Sequence, residues 1–270
     1  MAEIDRPLLL AYDSGSGDLT RAFRPSEFEK LIVAMARKYP RYYRIPVVLL
    51  LTGLRYAELL RFLDNEQRHA ASPVQRWFVP GERMIDPMGQ IISLKKREKG
   101  MSRSRRIYLS DMGVQQVQKF LDEQNGNTLP SQVYMDWMLE KSAEIAQLQK
   151  IDRDVIQRPY VRDISGNRMH DPAFPKSERK WLRNEKQVHF RTCLVSTKTF
   201  RKTCTSWKIV LYPNLEGWIA ASMGHSVETA RRYYQERGFT RDDIKGMVKY
   251  FDGMAPPTLE DIKAEMEVKE

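Results

Sequence analysis

The amino-acid sequence predicts an α+β fold that is mostly α-helical and contains a small antiparallel sheet. Apolar residues recur at helical spacing in most segments, whereas residues 75–110 consist of short runs separated by proline and glycine. The chain of 270 residues shows no internal repeat and no low-complexity tract. We therefore expect a flexible lead-in over residues 1–22, one folded domain over 23–253 and a tail helix over 254–270.

Three helices are predicted before the sheet. The first has Ser26 as its N-cap, and its apolar stripe consists of Phe28, Leu31, Ile32 and Met35. The second helix begins at Pro40 and continues through the apolar run YYRIPVVLLL. Gly53 then interrupts the pattern, and the third helix follows with RYAELLRFLDN. The sheet is predicted from the runs QRWFVP, RMIDP, QIISLKK and SRRIYLS.

The second half of the chain is predicted to be helical apart from one long segment. Helical spacing predicts a helix capped by Asp111 and another over VYMDWMLEKSAEIAQLQK. Residues 152–192 are polar and contain several prolines, so we expect a long loop with short elements there. Three helices follow, the first capped by Ser196 or Thr197, and a fourth is capped by Thr240. An acidic amphipathic helix forms the tail.

The composition narrows the classes of function. The net charge of +10 and the isoelectric point near 9.5 favour a polyanionic partner, although a merely basic soluble protein also fits them. The two cysteines, Cys193 and Cys204, have no CxxC spacing, so neither a zinc site nor a disulfide framework is predicted. No apolar run approaches the ~20 residues of a membrane span, and no motif resembles a metal site or a P-loop. We expect a cytoplasmic protein without membrane segment, metal or cofactor.

Three cationic stretches have both an ordinary and a functional explanation. In TGLRYAEL, Arg55 lies at a helix start with Glu58 one turn on, which is either a surface ion pair or an oriented guanidinium. The LKKREKGMSRSRRIYL stretch is a predicted hairpin turning at Gly100, and its charge indicates either a solvated face or a polyanion contact. In KTFRKT, Lys198 and Arg201 share one face at a helix start. Because cations oppose the helix dipole there, we expect an external anion.

Four motifs resemble those of the tyrosine recombinases, the phage-integrase family. They are TGLRYAEL, the lysine-bearing hairpin, KTFRKT and MGHSVETARRYYQ, in the order and approximate spacing of the family over residues 23–251. The resemblance implies a tyrosine-recombinase catalytic domain over 23–253, with catalytic roles for Arg55, Lys99, Lys198, Arg201, His225 and Tyr234. Lys198 departs from the histidine that usually begins the H-x-x-R motif, as it does in archaeal viral and plasmid integrases.

Two adjacent tyrosines compete for the role of nucleophile. Because successive helix residues point about 100° apart, only one of them can face a phosphate. Counting nine residues from His225 gives Tyr234, whereas counting four from Thr229 gives Tyr233. The HSVETARRYYQ segment looks more like family members whose nucleophile is the second tyrosine of the pair. We therefore predict Tyr234, with Tyr233 as the alternative.

The residue types in the motifs suit transfer of a DNA phosphodiester to tyrosine. Two guanidiniums clamp the non-bridging oxygens, and a histidine hydrogen-bonds the same phosphate. A lysine gives a proton to the departing 5′-oxygen, and the family's spacing selects Lys99 for this role, with Lys96 and Lys95 as reserves. The covalent phosphotyrosine stores the bond energy, so the reaction needs neither metal nor ATP.

The resemblance also implies double-stranded DNA as the partner and a homo-oligomer on DNA, a tetramer in synapsis, from a mobile element of a virus or plasmid. DNA contacts are predicted at Lys95, Lys96, Arg97, Arg103, Arg105, Arg106, Lys202 and Arg231. The tail is predicted to dock on a neighbouring protomer. Two other functions stay open: a type IB topoisomerase, which relaxes DNA without synapsis, and a non-catalytic DNA-binding protein on the same fold.

Overall fold

The computed structural model describes residues 22–88, 105–157, 159–178, 180–224, 226–233 and 239–254. Within these ranges the chain is mostly α-helical with a small antiparallel sheet, so the predicted fold class is confirmed. The helices are α1 (Pro25–Lys38), α2 (Arg44–Thr52), α3 (Tyr56–Arg68), α4 (Asp111–Glu123), α5 (Gln132–Ile145), α6 (Thr197–Leu211), α7 (Glu216–Met223), α8 (Val227–Tyr233) and α9 (Arg241–Phe251). The strands are β1 (Phe78–Val79), β2 (Met84–Ile85), β3 (Ile107–Tyr108), β4 (Ile151–Gln157) and β5 (Lys186–Thr192).

The chain divides into two compact units, one made of residues 1–148 and 194–270 and the other of residues 149–193. Helix α6 is the central element of the first unit and packs against α2, α5, α7 and α9. The buried indole of Trp207 on α6 contacts several aromatic rings and donates a hydrogen bond to the Phe23 carbonyl at 2.8 Å. A buried aromatic cluster of this kind contributes much of the packing energy of a core. It holds α6 firmly in place.

Several predicted helix starts differ from the observed ones. Arg24, not Ser26, is the N-cap of α1, because Pro25 suits the first helical position with its fixed φ. Ser110, not Asp111, caps α4, since its Oγ accepts the Gly113 N–H at 3.0 Å. Helix α2 begins at Arg44 and not at Pro40, with a turn between them. The predicted caps Ser196 of α6 and Thr240 of α9 are confirmed.

The small sheet of the first unit is antiparallel with strand order β1-β2-β3. Phe78 pairs with Ile85, and Ile85 pairs with Ile107, so the buried residues of the three strands lie side by side. Three of the four predicted runs therefore supply the strands. The fourth run, QIISLKK, lies outside the described residues. Tyr108 of β3 packs on Trp218 of α7, with ring centroids 5.3 Å apart, and this contact joins the sheet to α7.

The second unit contains an antiparallel strand pair, which differs from the long loop expected over residues 152–192. Strands β4 and β5 pair along their whole lengths. Beyond them, the ring of Tyr160 lies 4.2 Å from the guanidinium carbon of Arg168 and 4.3 Å from that of Arg183. Residues 158–185 separate the two strands, and no short turn signature marks them as partners in the sequence. The pairing of β4 with β5 could therefore not be predicted from local sequence patterns.

In the described ranges, no helix combines the length and the apolar character needed to cross a bilayer. The same ranges hold no group of three or more His, Cys, Asp or Glu side chains arranged to share a metal ion. Cys193 and Cys204 are both buried, and burial raises the pKa of the Cys204 thiol.

A candidate active site around the buried Glu58

The TGLRYAEL segment makes a tight connection between α2 and α3. Gly53 ends α2 with a φ of 66°, which favours glycine, and a Cβ atom there would lie 2.5 Å from Met223 Sδ. Arg55 is the N-cap of α3, and its backbone N–H donates to Glu58 Oε2 at 2.8 Å. Arg55 Nη1 donates to Glu58 Oε1, also at 2.8 Å. The contact that the i,i+3 spacing predicts is therefore confirmed.

Glu58 is surrounded by guanidinium groups from three parts of the chain. Its side chain is 2% exposed. Besides Arg55, Arg105 donates to both carboxylate oxygens, from Nη1 to Oε1 at 3.1 Å and from Nη2 to Oε2 at 2.7 Å. Arg201 Nη1 lies 3.5 Å from Oε2. The segment just before β3, helix α3 and helix α6 therefore meet at one buried carboxylate.

Arg201 joins the ends of two helices. Its side chain is 4% exposed, its Nη1 donates to the Gly53 carbonyl at 2.6 Å, and its Nη2 donates to the Met223 carbonyl. These carbonyls lie at the C-terminal ends of α2 and α7, where the helix dipole favours a cation. The buried guanidinium is thus held by backbone atoms as well as by the charge of Glu58.

The charges of this cluster do not cancel. Burial alone would raise the pKa of Glu58, but the hydrogen bonds and charge of Arg105, with the charges of Arg201 and Arg55, outweigh burial and lower the pKa to about 2. Three positive charges and one negative charge leave two positive charges. Arg55 is 30% exposed, against 6% for Arg105 and 4% for Arg201. Arg55 is therefore the member that an anion from solvent reaches most easily.

The start of α6 is stabilised from within the protein. Asp136 Oδ1 accepts the Thr197 N–H at 2.7 Å, and Glu140 Oε2 accepts the Val195 N–H at 3.3 Å. Both carboxylates come from α5, and their charge offsets the cost of cations at this helix start. Lys198 is exposed in the same turn. Internal carboxylates, in place of the external anion expected from the sequence, therefore occupy these two N–H groups.

Among the other described residues that were predicted to contact DNA, one is buried and two form ion pairs on the surface. Lys202 is buried on α6. On the surface, Arg106 Nε lies 2.9 Å from Asp86 Oδ2, and Arg231 Nη2 lies 2.9 Å from Glu216 Oε2. Exposed pairs of this kind are weak, so a DNA phosphate is able to compete for both arginines.

Several predicted site residues lie outside the described residues: Lys95, Lys96, Arg97, Lys99, Arg103, His225 and Tyr234. Tyr233 is the last residue of α8, and its side chain also lies outside the description. The tail segment 255–270 does so as well. The roles given to these residues stay predictions.

Sequence reasoning missed the position of Arg105, which was predicted to contact DNA. Its guanidinium instead donates to Glu58 and, through Nε, to the Ser222 carbonyl at 2.7 Å. A signal was present in the sequence. Residues two apart in extended chain share a face, and Arg105 precedes Ile107 and Leu109, which are both buried. Strand alternation therefore placed Arg105 on the inner face.

No protein-family model matches this chain, and no curated protein matches it. Among solved structures, the chain is similar to that of XerA recombinase, with 15% identity and a TM-score of 0.45 over 85% of this chain and 62% of the other. It is also similar to the Tn1549 transposon integrase in complex with transposon right end DNA, with 16% identity and a TM-score of 0.44 over 92% and 65%.

A second structure of the Tn1549 integrase, in complex with circular intermediate DNA, has 17% identity and a TM-score of 0.39 over 92% of this chain and 67% of the other. The chain spans about 62% of the length of the XerA structure.

Proposed function

We propose that this chain is a site-specific DNA recombinase or integrase that cleaves and rejoins DNA through a 3′-phosphotyrosine. The observation that carries the proposal is the cluster of Arg55, Arg105 and Arg201 around Glu58, with two positive charges in excess. A phosphodiester gains negative charge on its non-bridging oxygens as a nucleophile attacks. Fixed guanidiniums in a partly buried site stabilise that charge well, because they need no reorganisation.

In the proposed reaction, the Tyr234 hydroxyl oxygen attacks phosphorus, the bond to the 5′-oxygen breaks, and the 3′-phosphate stays on the tyrosine. The tyrosine proton is released to solvent, and Lys99 gives a proton to the leaving 5′-oxygen. Arg55 and Arg201 clamp the non-bridging oxygens. For this, Arg201 uses N–H groups other than the two that bind the helix-end carbonyls. His225 hydrogen-bonds the same phosphate. The phosphotyrosine keeps the bond energy, so the reverse attack by a 5′-hydroxyl needs neither metal nor ATP.

The proposed partner is double-stranded DNA. The net charge of +10 and exposed cations such as Lys198 and Arg106 support it, because phosphate neutralisation by Lys and Arg drives DNA binding. Exchange of strands between two duplexes further implies a homo-oligomer, a tetramer in synapsis. Such a protein serves the integration of a mobile element of viral or plasmid origin.

Covalent capture tests the proposal. A library of random-sequence duplexes, each nicked so that the released fragment diffuses away, is incubated with the protein in EDTA. The expected product is a protein–DNA adduct that survives denaturant. If duplexes are bound but none is captured, the chain is a DNA-binding protein without recombinase chemistry.

The adjacent tyrosines provide a matched pair of variants. Tyr234→Phe should abolish the adduct and leave DNA binding intact, whereas Tyr233→Phe should reduce the adduct only partly. Each change removes one hydroxyl group, so the two variants differ in position alone. The opposite pattern would assign the nucleophile to Tyr233.

A further inference from the structure

Arg105 makes three hydrogen bonds from its guanidinium inside the protein. Nη1 and Nη2 bind the two oxygens of Glu58, and Nε binds the Ser222 carbonyl. A bidentate pair of this kind fixes both distance and orientation. With 6% of its side chain exposed, Arg105 is less open to a DNA phosphate than Arg55, which is 30% exposed.

Arg105 and Arg201 approach the same oxygen of Glu58 at different distances. Arg105 approaches Glu58 Oε2 to 2.7 Å, while Arg201 stays at 3.5 Å from the same oxygen, beyond the usual length of a charge-assisted hydrogen bond. Arg201 is thereby left to the carbonyls of Gly53 and Met223. Without Arg105, the charge of Glu58 would draw Arg201 away from those carbonyls.

The third bond of Arg105 fixes the end of α7. The Ser222 carbonyl that accepts from Nε lies one residue before Met223, whose carbonyl accepts from Arg201. Gly224 follows with a φ of 69° and ends the helix. Two guanidiniums therefore hold the last turn of α7, immediately before His225 in the sequence.

We propose that Arg105 is a positioning residue of this cluster: it acts through Glu58 and the Ser222 carbonyl to hold Arg55 and Arg201 in the geometry that clamps a phosphate, and it does not touch DNA. This positioning role rests on the proposed function, because it concerns the binding of a DNA phosphate. The basic stretch around Gly100, which was predicted to contact DNA, would then have a second role. Near its C-terminal end, Arg105 contacts buried residues of the protein.

The test compares variants of Arg105 with a matched control. Arg105→Met removes the guanidinium and keeps an unbranched apolar side chain, and Arg105→Lys keeps the charge without the fork. Arg76→Met is the control, because Arg76 also pairs with a buried glutamate, Glu66, at 2.7 Å. Thermal unfolding of each variant sets an assay temperature at which all of them are folded.

Single-turnover cleavage is measured at saturating concentrations of a nicked duplex that the wild-type protein captures. Arg105→Met should lower the rate by about 10²-fold, since displacement by about 1 Å costs that much. Its Kd for the duplex should stay near the wild-type value, and Arg105→Lys should recover part of the rate. Arg76→Met should cleave at the wild-type rate. Equal rates for Arg105→Met and Arg76→Met, or a loss of DNA binding that matches the loss of rate, would overturn the proposal.

A double-mutant cycle tests whether Arg105 acts through Glu58. Because both changes break the same contact, Arg105→Met should slow cleavage little further in a protein that already carries Glu58→Gln. Independent losses that multiply in the double variant would contradict the proposed route.

A binding assay without DNA separates failure of the positioning role from failure of the proposed function. If the wild-type protein captures no duplex, calorimetry with orthovanadate, a mimic of the phosphoryl transition state, decides the positioning role alone. The wild-type protein and Arg76→Met should bind orthovanadate, and Arg105→Met should bind it at least about tenfold more weakly, equivalent to ~1.4 kcal/mol. Equal binding by all three proteins, or no binding by the wild type, would overturn the positioning role.

Discussion

Replacement of Glu58 by glutamine should destabilise the protein by about 3 kcal/mol at neutral pH. The pKa of Glu58 is lowered from 4.5 to about 2, and each unit of pKa is worth about 1.4 kcal/mol. Glutamine keeps the shape of the side chain but leaves three guanidiniums without their shared carboxylate. Removal of one partner from a buried ion pair costs about 3–5 kcal/mol, in agreement with this value.

The pH dependence gives the sharper test. Because the folded-state pKa of Glu58 lies below the unfolded-state value, its contribution is complete above about pH 5 and is lost as the pH falls towards about 2. Urea unfolding of both proteins should therefore show a stability difference of about 3 kcal/mol at pH 7 that falls to less than half at about pH 3.

Asp64→Asn on the same helix is the control for this measurement. Asp64 pairs with Arg68 at 2.7 Å, but the two side chains are 56% and 71% exposed. Such a pair contributes less than about 1 kcal/mol. If Glu58→Gln costs no more than Asp64→Asn at pH 7, or if its cost is the same at both pH values, the central electrostatic role of Glu58 is wrong.

Three further predictions concern separate parts of the chain. Lys99→Ala should slow cleavage of ordinary DNA by about 10²-fold. A 5′-phosphorothiolate substrate should restore the rate, because its leaving group needs no proton. An equal loss of rate on both substrates would mean that Lys99 only contacts the phosphate. Deletion of residues 255–270 should weaken assembly on DNA, measured by light scattering, more than folding, since an acidic amphipathic tail suits docking on a neighbouring protomer; unchanged assembly excludes that docking. Gly53→Ala should lower the free energy of unfolding in urea by about 1 kcal/mol more than Gly126→Ala does. Both glycines have a positive φ, but a new Cβ atom meets Met223 Sδ only at Gly53. Equal losses of stability would show that the Met223 side chain moves aside.

The sequence predicts what depends on neighbours along the chain. The helical spacing of apolar residues identified the mostly helical fold, and Thr240 was recognisable as a cap because its side chain serves the N–H three residues on. The contact between Arg55 and Glu58 was predictable for the same reason, since residues three apart on a helix lie on one face.

Contacts between distant segments were not predictable from these local rules. Arg105 lies in a run of cations, and net charge says nothing about which cation turns inward. Its partners Glu58 and Ser222 lie far away in the sequence, and the Gly53 and Met223 carbonyls that hold Arg201 carry no signature in side-chain chemistry. Strand alternation with the buried Ile107 was the one local signal for Arg105.

The source of anion attraction in this site also differs from the one that the sequence suggests. Helix starts attract anions through unpaired N–H groups, but here the Arg55 N–H is bound by Glu58 and the Thr197 N–H by Asp136. These two N–H groups are occupied, so in the proposed reaction the excess positive charge of the guanidiniums provides attraction in their place. Glu58 then has two opposite effects: it lowers the charge available to a phosphate, and it fixes the arginines that carry the rest. A cluster of three arginines and one glutamate allows both, because one carboxylate orders three cations and still leaves two positive charges for the dianionic transition state of the proposed reaction.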